Sequence, residues 1–250
     1  MRKLMKAEIY RIMHSKKLLR YLVIATILCI LLPFKFFLDY LNDDLSIMLR
    51  DSSMIFFMIL MLLPPFYAYV TGKLYNKGKL GMYEVMAGNS AFRITGSKLL
   101  TDGLLFSGLL TVSVSIFYIV MAVNNGTGAL DHVFIRFLLY IVLFAQTAFC
   151  SVLIALYVRK TATGAVLCYA RFMIFDSAVL PFLMWLAGSV LGFEKLSLHI
   201  AHLSLINKML MLTADPLNAM MVMHILFGFV FEVLFWYGCI YFGMKEKKYQ

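Results

Sequence analysis

The tightest constraint on this chain is a series of apolar runs long enough to cross a bilayer, three of them (54–71, 103–123 and 137–158) without a single charge. Residues 103–123 (GLLFSGLLTVSVSIFYIVMAV) and 137–158 (FLLYIVLFAQTAFCSVLIALYV) contain no Asp, Glu, Lys or Arg. About 20 apolar residues wound as a helix match the hydrocarbon thickness, and a helix satisfies every backbone amide within its own segment. Four more runs of this kind occupy 21–38, 54–71, 161–193 and 217–244. With 62% hydrophobic and only 14% charged residues among 250, and a mean hydropathy of +0.86, the chain lacks the polar surface of a soluble domain. The reading is an all-α polytopic membrane protein: one transmembrane domain over 1–250, six spans, and neither linker nor internal repeat.

Charge fixes the expected orientation. A net charge of +10 would point to nucleic acid in a soluble protein, but here the basic residues flank spans. Arg2, Lys3, Lys6, Arg11, Lys16, Lys17 and Arg20 precede the first run, and Lys73, Lys77, Lys79, Arg93 and Lys98 follow the second. Arg159 and Lys160 follow the fourth, and Lys245, Lys247 and Lys248 follow the last. Asp39, Asp43, Asp44, Asp51, Asp131, Glu194 and Asp215 fall on the alternate side, whose loops hold only Arg50, Lys195 and Lys208, with Lys35 and Arg136 at span ends. The positive-inside rule then places both termini in the cytosol of a plasma membrane. No small-residue cleavage site closes the first run, so it is expected to stay in the mature protein. Cys29, Cys150, Cys168 and Cys239 all lie in apolar runs and form no CxxC pair, which suits small buried hydrophobes better than a disulfide or zinc site.

Before the first run, MRKLMKAEIYRIMHSKK repeats apolar residues at helical spacing with basic residues on the other arc. A helix over 1–17 lying in the cytosolic interface is expected, with Arg11 among its basic residues. Glu8 breaks the apolar arc, either as a carboxylate at headgroup level or as a partner for Arg93 or Lys98. Beyond the second run, Pro64 and Pro65 predict a bend. Residues 80–90 predict a short helix outside the membrane, with Gly88–Asn89 as its stop and Ser90 as a cap for the segment beyond it. Exposed Tyr83 and Glu84 suit docking into a protein groove, while an ordinary solvated loop explains the same residues.

Charges recur inside the last two spans. Arg171 and Asp176 lie in CYARFMIFDSAVLP, and Glu232 in FGFVFEVLFWYG. Ionisable groups at this depth cost about 2.5–3.5 kcal/mol on insertion scales and normally face protein or a wet cavity. On a regular helix, five residues separate Arg171 and Asp176 by roughly 140°, at about 100° per residue. Local unwinding, a neighbouring protomer or Glu232 is therefore needed to pair them. A translocation pathway, structural pairs that fix packing, and proton transport are the readings these residues admit. The segment 194–215 predicts one or two short external helices dipping into the membrane. Its His199 and His202 lack the companions of a metal site, and the Asn125–Thr127 sequon carries no weight.

An interfacial helix of the AEIYRIMHSKK type, six spans, and a first cytosolic loop with Glu84, Gly88, Arg93 and Lys98 resemble the permease subunits of type-2 (ABC-2) ABC exporters. The likeness runs along the whole chain in layout more than in residue identities. In size it is similar to permeases of lantibiotic immunity, bacitracin resistance and phenol-soluble-modulin export. The resemblance implies an elbow helix carrying Glu8 and Arg11, and a coupling helix whose ATPase-facing residues are Tyr83, Glu84, Gly88, Asn89 and Arg93. It also implies a translocation pathway near Arg171, Asp176 and Glu232. The expected partners are a separate ABC ATPase, a second permease copy or paralogue, membrane lipids and an amphipathic peptide cargo. No nucleic acid and no directly bound cofactor are expected, with ATP and Mg held by the ATPase in a bacterial cell.

One consequence rests on the residues alone. GK occurs at Gly72–Lys73 and Gly78–Lys79, but never as the GK[ST] of a phosphate-binding loop, so ATP hydrolysis is expected from another polypeptide. An ion- or proton-coupled carrier built on Arg171, Asp176 and Glu232 is the alternative class. An intramembrane protease of the metal type lacks its HExxH, and a serine type needs a GxS-like site with a histidine, whereas the five histidines lie mostly near ends or in the external segment. The orientation is checked by single-cysteine labelling in a cysteine-free background. A membrane-impermeant thiol reagent applied to intact cells is expected to reach Asp51→Cys and Lys195→Cys and to spare Lys79→Cys.

Overall fold

Among the described residues helix is the only regular structure, as a chain that must satisfy its own amides in hydrocarbon requires. The computed structural model describes residues 2–39, 42–47, 63–73, 88, 90–128, 131–158, 161–201, 203–213 and 216–246. We label the helices α1 (Arg2–His14), α2 (Lys16–Asp39), α3 (63–73), α4 (Ala91–Asn124), α5 (Val133–Tyr157), α6 (Thr161–Val190), α7 (Glu194–Ala201), α8 (Leu205–Thr213) and α9 (Ala219–Glu246). Four of them are long and apolar enough to cross a membrane: α4, α5, α6 and α9. The run 21–38 lies within α2, and most of the run 54–71 falls outside the described residues, as does the bend expected ahead of Pro64 and Pro65.

The third span begins well before the expected residue 103. Ser90 takes up extended backbone and its hydroxyl accepts the Arg93 amide at 3.4 Å, capping a helix that starts at Ala91. Nothing in AFRITGSKLLTD halts a helix, and its polar residues are accommodated against protein. Thr95, Ser97, Lys98, Thr101 and Asp102 are buried, where α1 packs across α4. Arg93 and Lys98 thus stand on a helix and not in the loop that charge counting assigned them.

The post of the bundle is α5, which touches α4, α6, α8 and α9. Its apolar stretch is 67% buried, against 17% for each of α6 and α9, whose outer faces carry exposed Phe182, Trp185, Phe227 and Phe235. Close approach of α4 to α5 depends on Gly103, where an added Cβ would overlap the Phe149 ring. Between α3 and α4, the buried Tyr67 ring stacks on Phe106 with centroids 4.1 Å apart.

Contacts at the two ends of the bundle sort the loops. At one end, the Tyr237 hydroxyl of α9 donates to the Phe92 carbonyl at 2.9 Å, and α1 lies against the first turns of α4. The chain's first helix and the end of its last therefore share a side. At the other end, the Leu45 amide donates to the Gly126 carbonyl and the Asn125 side-chain amide to the Asp43 carbonyl. Gly128 sits at φ +61°, and a Cβ there would overlap the Asp44 carboxylate, so both backbone and space call for glycine. Asp44 in turn accepts from the Ser46 hydroxyl and the Ile47 amide, which hold its carboxyl below the usual carboxylate pKa.

Arg136 ties this second end together. Fully buried, it donates to the Asp131 carbonyl at 2.8 Å, to the Leu212 carbonyl at 2.6 Å and to the Asp131 carboxylate. The other Asp131 oxygen accepts the Leu217 amide at 3.0 Å. One arginine thereby joins the start of α5, the end of α8 and the approach to α9. Overpacking the α4–α5 contact tests the architecture: Gly103→Leu is expected to lower stability by about 1–3 kcal/mol. Adding Phe149→Ala should restore part of that loss, as read by thermal unfolding of the purified protein in detergent.

Candidate functional site

Near the middle of α5, α6 and α9, where hydrocarbon would surround them, ionisable and amide side chains converge. Arg171 of α6 donates through Nε to Glu232 of α9 at 2.7 Å and through one Nη to Asp176 at 2.8 Å. The second Glu232 oxygen accepts the Gln146 amide of α5 at 2.5 Å, and Gln146 Oε1 accepts Lys208 of α8 at 3.3 Å. The second Asp176 oxygen accepts the Leu205 amide at 2.8 Å. Leu205 is the first residue of α8, so a carboxylate of α6 satisfies an exposed amide at the start of α8 and faces the positive end of its dipole. Arg171 also lies over the rings of Phe175 and Phe172 at 5.0 and 5.5 Å.

The pairing of Arg171 with Asp176 follows from the local helix. Residues Ala170–Val179 form a π-helix, and Leu186–Val190 form another. Bonds from i to i+5 bring residues five apart over one another, so the roughly 140° separation of an α-helix is removed. Pro181 supplies a cause: its ring clashes with a carbonyl one α-turn back and its nitrogen donates no bond, and a wider turn relieves both. Local unwinding and Glu232, both expected as sources of a partner, act together here.

Above this cluster α6 and α9 leave an open cavity of ≈ 530 Å³, walled by apolar residues including Ile174, Phe175, Phe231, Phe235 and Trp236. Arg171, Glu232 and Lys208 reach its lining. Two cations and two anions make the cluster neutral in sum. Chemically the arrangement offers an apolar groove with a polar floor inside the membrane. Lys208 and Gln146 were not anticipated as part of it. Each nevertheless left a mark: Lys208 is the one charge within LINKMLML, and Gln146 the one amide side chain within 137–158.

The remaining candidates lie elsewhere. Glu8 is buried, with Arg11 at 2.5 Å and Lys98 at 3.9 Å, so the partner expected from α4 is Lys98. Arg93 stays exposed on the first turn of α4. Gly88 is an exposed turn residue at φ +79°, suited to the expected helix stop. Tyr83, Glu84 and Asn89, with most of the expected coupling helix 80–90, lie outside the described residues. The two short helices expected over 194–215 are present as α7 and α8. Of the apolar residues that recur there at helical spacing, Leu196, Leu203 and Leu210 are exposed and Ile200 and Ile206 half-buried, while Leu205, Lys208, Met209 and Leu212 face inward. The His199 ring lies 6.2 Å from that of His224 and tilted to it, and His202 lies outside the described residues. Among the described residues no group of three or more His, Cys, Asp and Glu is placed to hold a metal ion.

No protein-family model matches the chain, and no curated protein matches it either. Removing one partner of a buried pair leaves an uncompensated charge, so Arg171→Met is expected to cost about 3–5 kcal/mol. Combined with Glu232→Gln, the loss should be smaller than the sum of the single changes by about 0.5–3 kcal/mol. Unfolding in mixed micelles measures both.

Proposed function

We propose that this chain is the membrane-spanning permease subunit of an ATP-driven exporter of the ABC-2 type, moving amphipathic or hydrophobic peptides out of a bacterial cell or its membrane. The carrying observation is the buried contact of Glu8 on α1 with Lys98 on α4. It couples an amphipathic helix with a basic arc to the span that follows the loop 80–90, at the end of the bundle where α9 also finishes. In this reading, Tyr83, Glu84, Gly88, Asn89 and Arg93 meet the ATPase, which holds ATP and Mg. Displacement of that loop is passed to α4 and α1, with Glu8 and Arg11 as the joint. Two permease subunits enclose the pathway, which runs near Arg171, Asp176 and Glu232. Both termini face the cytosol.

A second reading has its own observation. Four ionisable groups gathered at mid-membrane in one hydrogen-bonded network are what an ion- or proton-coupled carrier uses. The two readings separate in one experiment. The chain is co-expressed with a candidate ABC ATPase, purified and reconstituted. Export by the complex is expected to require ATP. Deletion of residues 80–90 should abolish co-purification, while Glu8→Ala should keep the ATPase bound and reduce its stimulation. Gradient-driven transport by the chain alone, with no ATP, would instead establish the carrier.

A further inference from the structure

One charge in the mid-membrane cluster is matched differently from the rest. Lys208 is 1% exposed, yet its side chain reaches the lining of the groove between α6 and α9. An ammonium has three donors, and the hydrogen bond Lys208 makes among the described residues goes to a neutral oxygen, that of Gln146. Arg171 already holds both carboxylates, at 2.7 and 2.8 Å. The outer oxygens of those carboxylates accept from Gln146 and from the Leu205 amide. Among the described residues, Lys208 is thus the cation of the cluster without an ion pair. A buried ammonium with donors to spare is costly, and an anion brought into the groove would offset that cost.

The walls narrow the choice of anion. Ile174, Phe175, Phe231, Phe235 and Trp236 present rings and aliphatic carbon, with scarcely any polar surface beyond the floor. The groove opens between two helices whose outer faces are themselves apolar, so it is reached sideways from hydrocarbon. An extended peptide entering here would bring amides and carbonyls that the walls cannot satisfy, and a helical one is too broad to lay a single anionic group on the floor. A phosphoglycerol head would bring several polar groups to a floor where Lys208 alone has donors to spare. A fatty acid brings a single anionic group and a chain that needs no partner.

We propose that the groove between α6 and α9 is a binding site for a long-chain fatty acid, its carboxylate on Lys208 and its chain along Phe231, Phe235 and Trp236. The site does not depend on coupling to an ATPase, because binding is a property of this chain alone.

Trp236 lies in the wall and the chain has two tryptophans, so Trp185→Phe makes it the sole reporter. The full chain in that background is titrated with dibrominated stearate, whose bromines quench nearby indole, and with its methyl ester, well above the pH at which the acid ionises. Saturable quenching is expected from the acid, with the ester about tenfold weaker, the worth of one hydrogen bond to a charged group. Lys208→Met should bring the acid down to the ester, and Lys208→Arg should keep the difference. Equal affinity of acid and ester overturns the proposal without reference to any Lys208 variant. So does unchanged acid binding in folded Lys208→Met. Tighter, Lys208-dependent binding of an apolar peptide with a free C-terminal carboxylate overturns it in favour of peptide. Absence of saturable quenching, with Trp236 shielded by a second copy in a cross-linked dimer, overturns it in favour of self-association.

Discussion

The bundle depends on matching charge where water is absent. Arg171 cannot stand alone at mid-membrane, and its two bridges draw α6 to α9 while Asp176 reaches on to the amide end of α8. Gln146 then ties the same network to α5. Packing between apolar helices in lipid carries little directional preference, because the lipid tails are as apolar as the helices. Geometry-specific ion pairs and amide bonds supply that direction. Such a cluster is weak evidence of added stability, since desolvation of each ion offsets much of the attraction. What it does fix is relative position: only one rotation of α6 and one of α9 satisfies all its members.

The same principle operates at the two ends with different partners. At one, Glu8 lies among Arg11 and Lys98, which turns a lapse in the amphipathic pattern of α1 into a point of attachment on α4. At the other, Arg136 gathers Asp131, the end of α8 and the approach to α9. Between these polar clasps the contacts are steric. Gly103 admits the Phe149 ring and Gly128 admits the Asp44 carboxylate, each at a distance no side chain would leave.

Most of the helical layout was legible because hydrocarbon imposes a length and a composition that hydropathy alone reveals. The charge-free runs 103–123 and 137–158 fall within or almost wholly within α4 and α5, and 161–193 and 217–244 nearly coincide with α6 and α9. The early start of α4 was not legible from hydropathy, since its first turns are polar and are buried by α1, a tertiary effect. The site was half legible. Arg171, Asp176 and Glu232 stood out as charges in apolar surroundings, and their meeting required a helix that departs from the α period. Periodicity arguments assume that period, so they place Arg171 and Asp176 apart. The sequence places Lys208 on a short external helix, whereas the fold returns α8 to the level of Gln146. The orientation of α7 and α8 escapes sequence reasoning for a related reason: in contact with lipid, an apolar stripe marks the outward face as readily as the inward one.

The fastenings are also unevenly distributed around the groove. From its beginning to its end α9 is bound to the frame: Leu217 to Asp131, Glu232 to Gln146, Tyr237 to Phe92. The first turns of α6 are likewise held, with Gly72 of α3 admitting Thr161 and Gly164 facing Ala155 of α5. Past Asp176 the contacts change character. Leu180–Trp185 and Leu186–Val190 pack on α7, itself a short helix bound to α6 through the Ser197 hydroxyl and the Met184 carbonyl. The widened turns of Ala170–Val179 lie where the held half gives way to this hairpin. Such π-segments recur at functional sites. The second half of α6, with α7, is therefore the less fastened wall of the groove, and α9 the more fastened one.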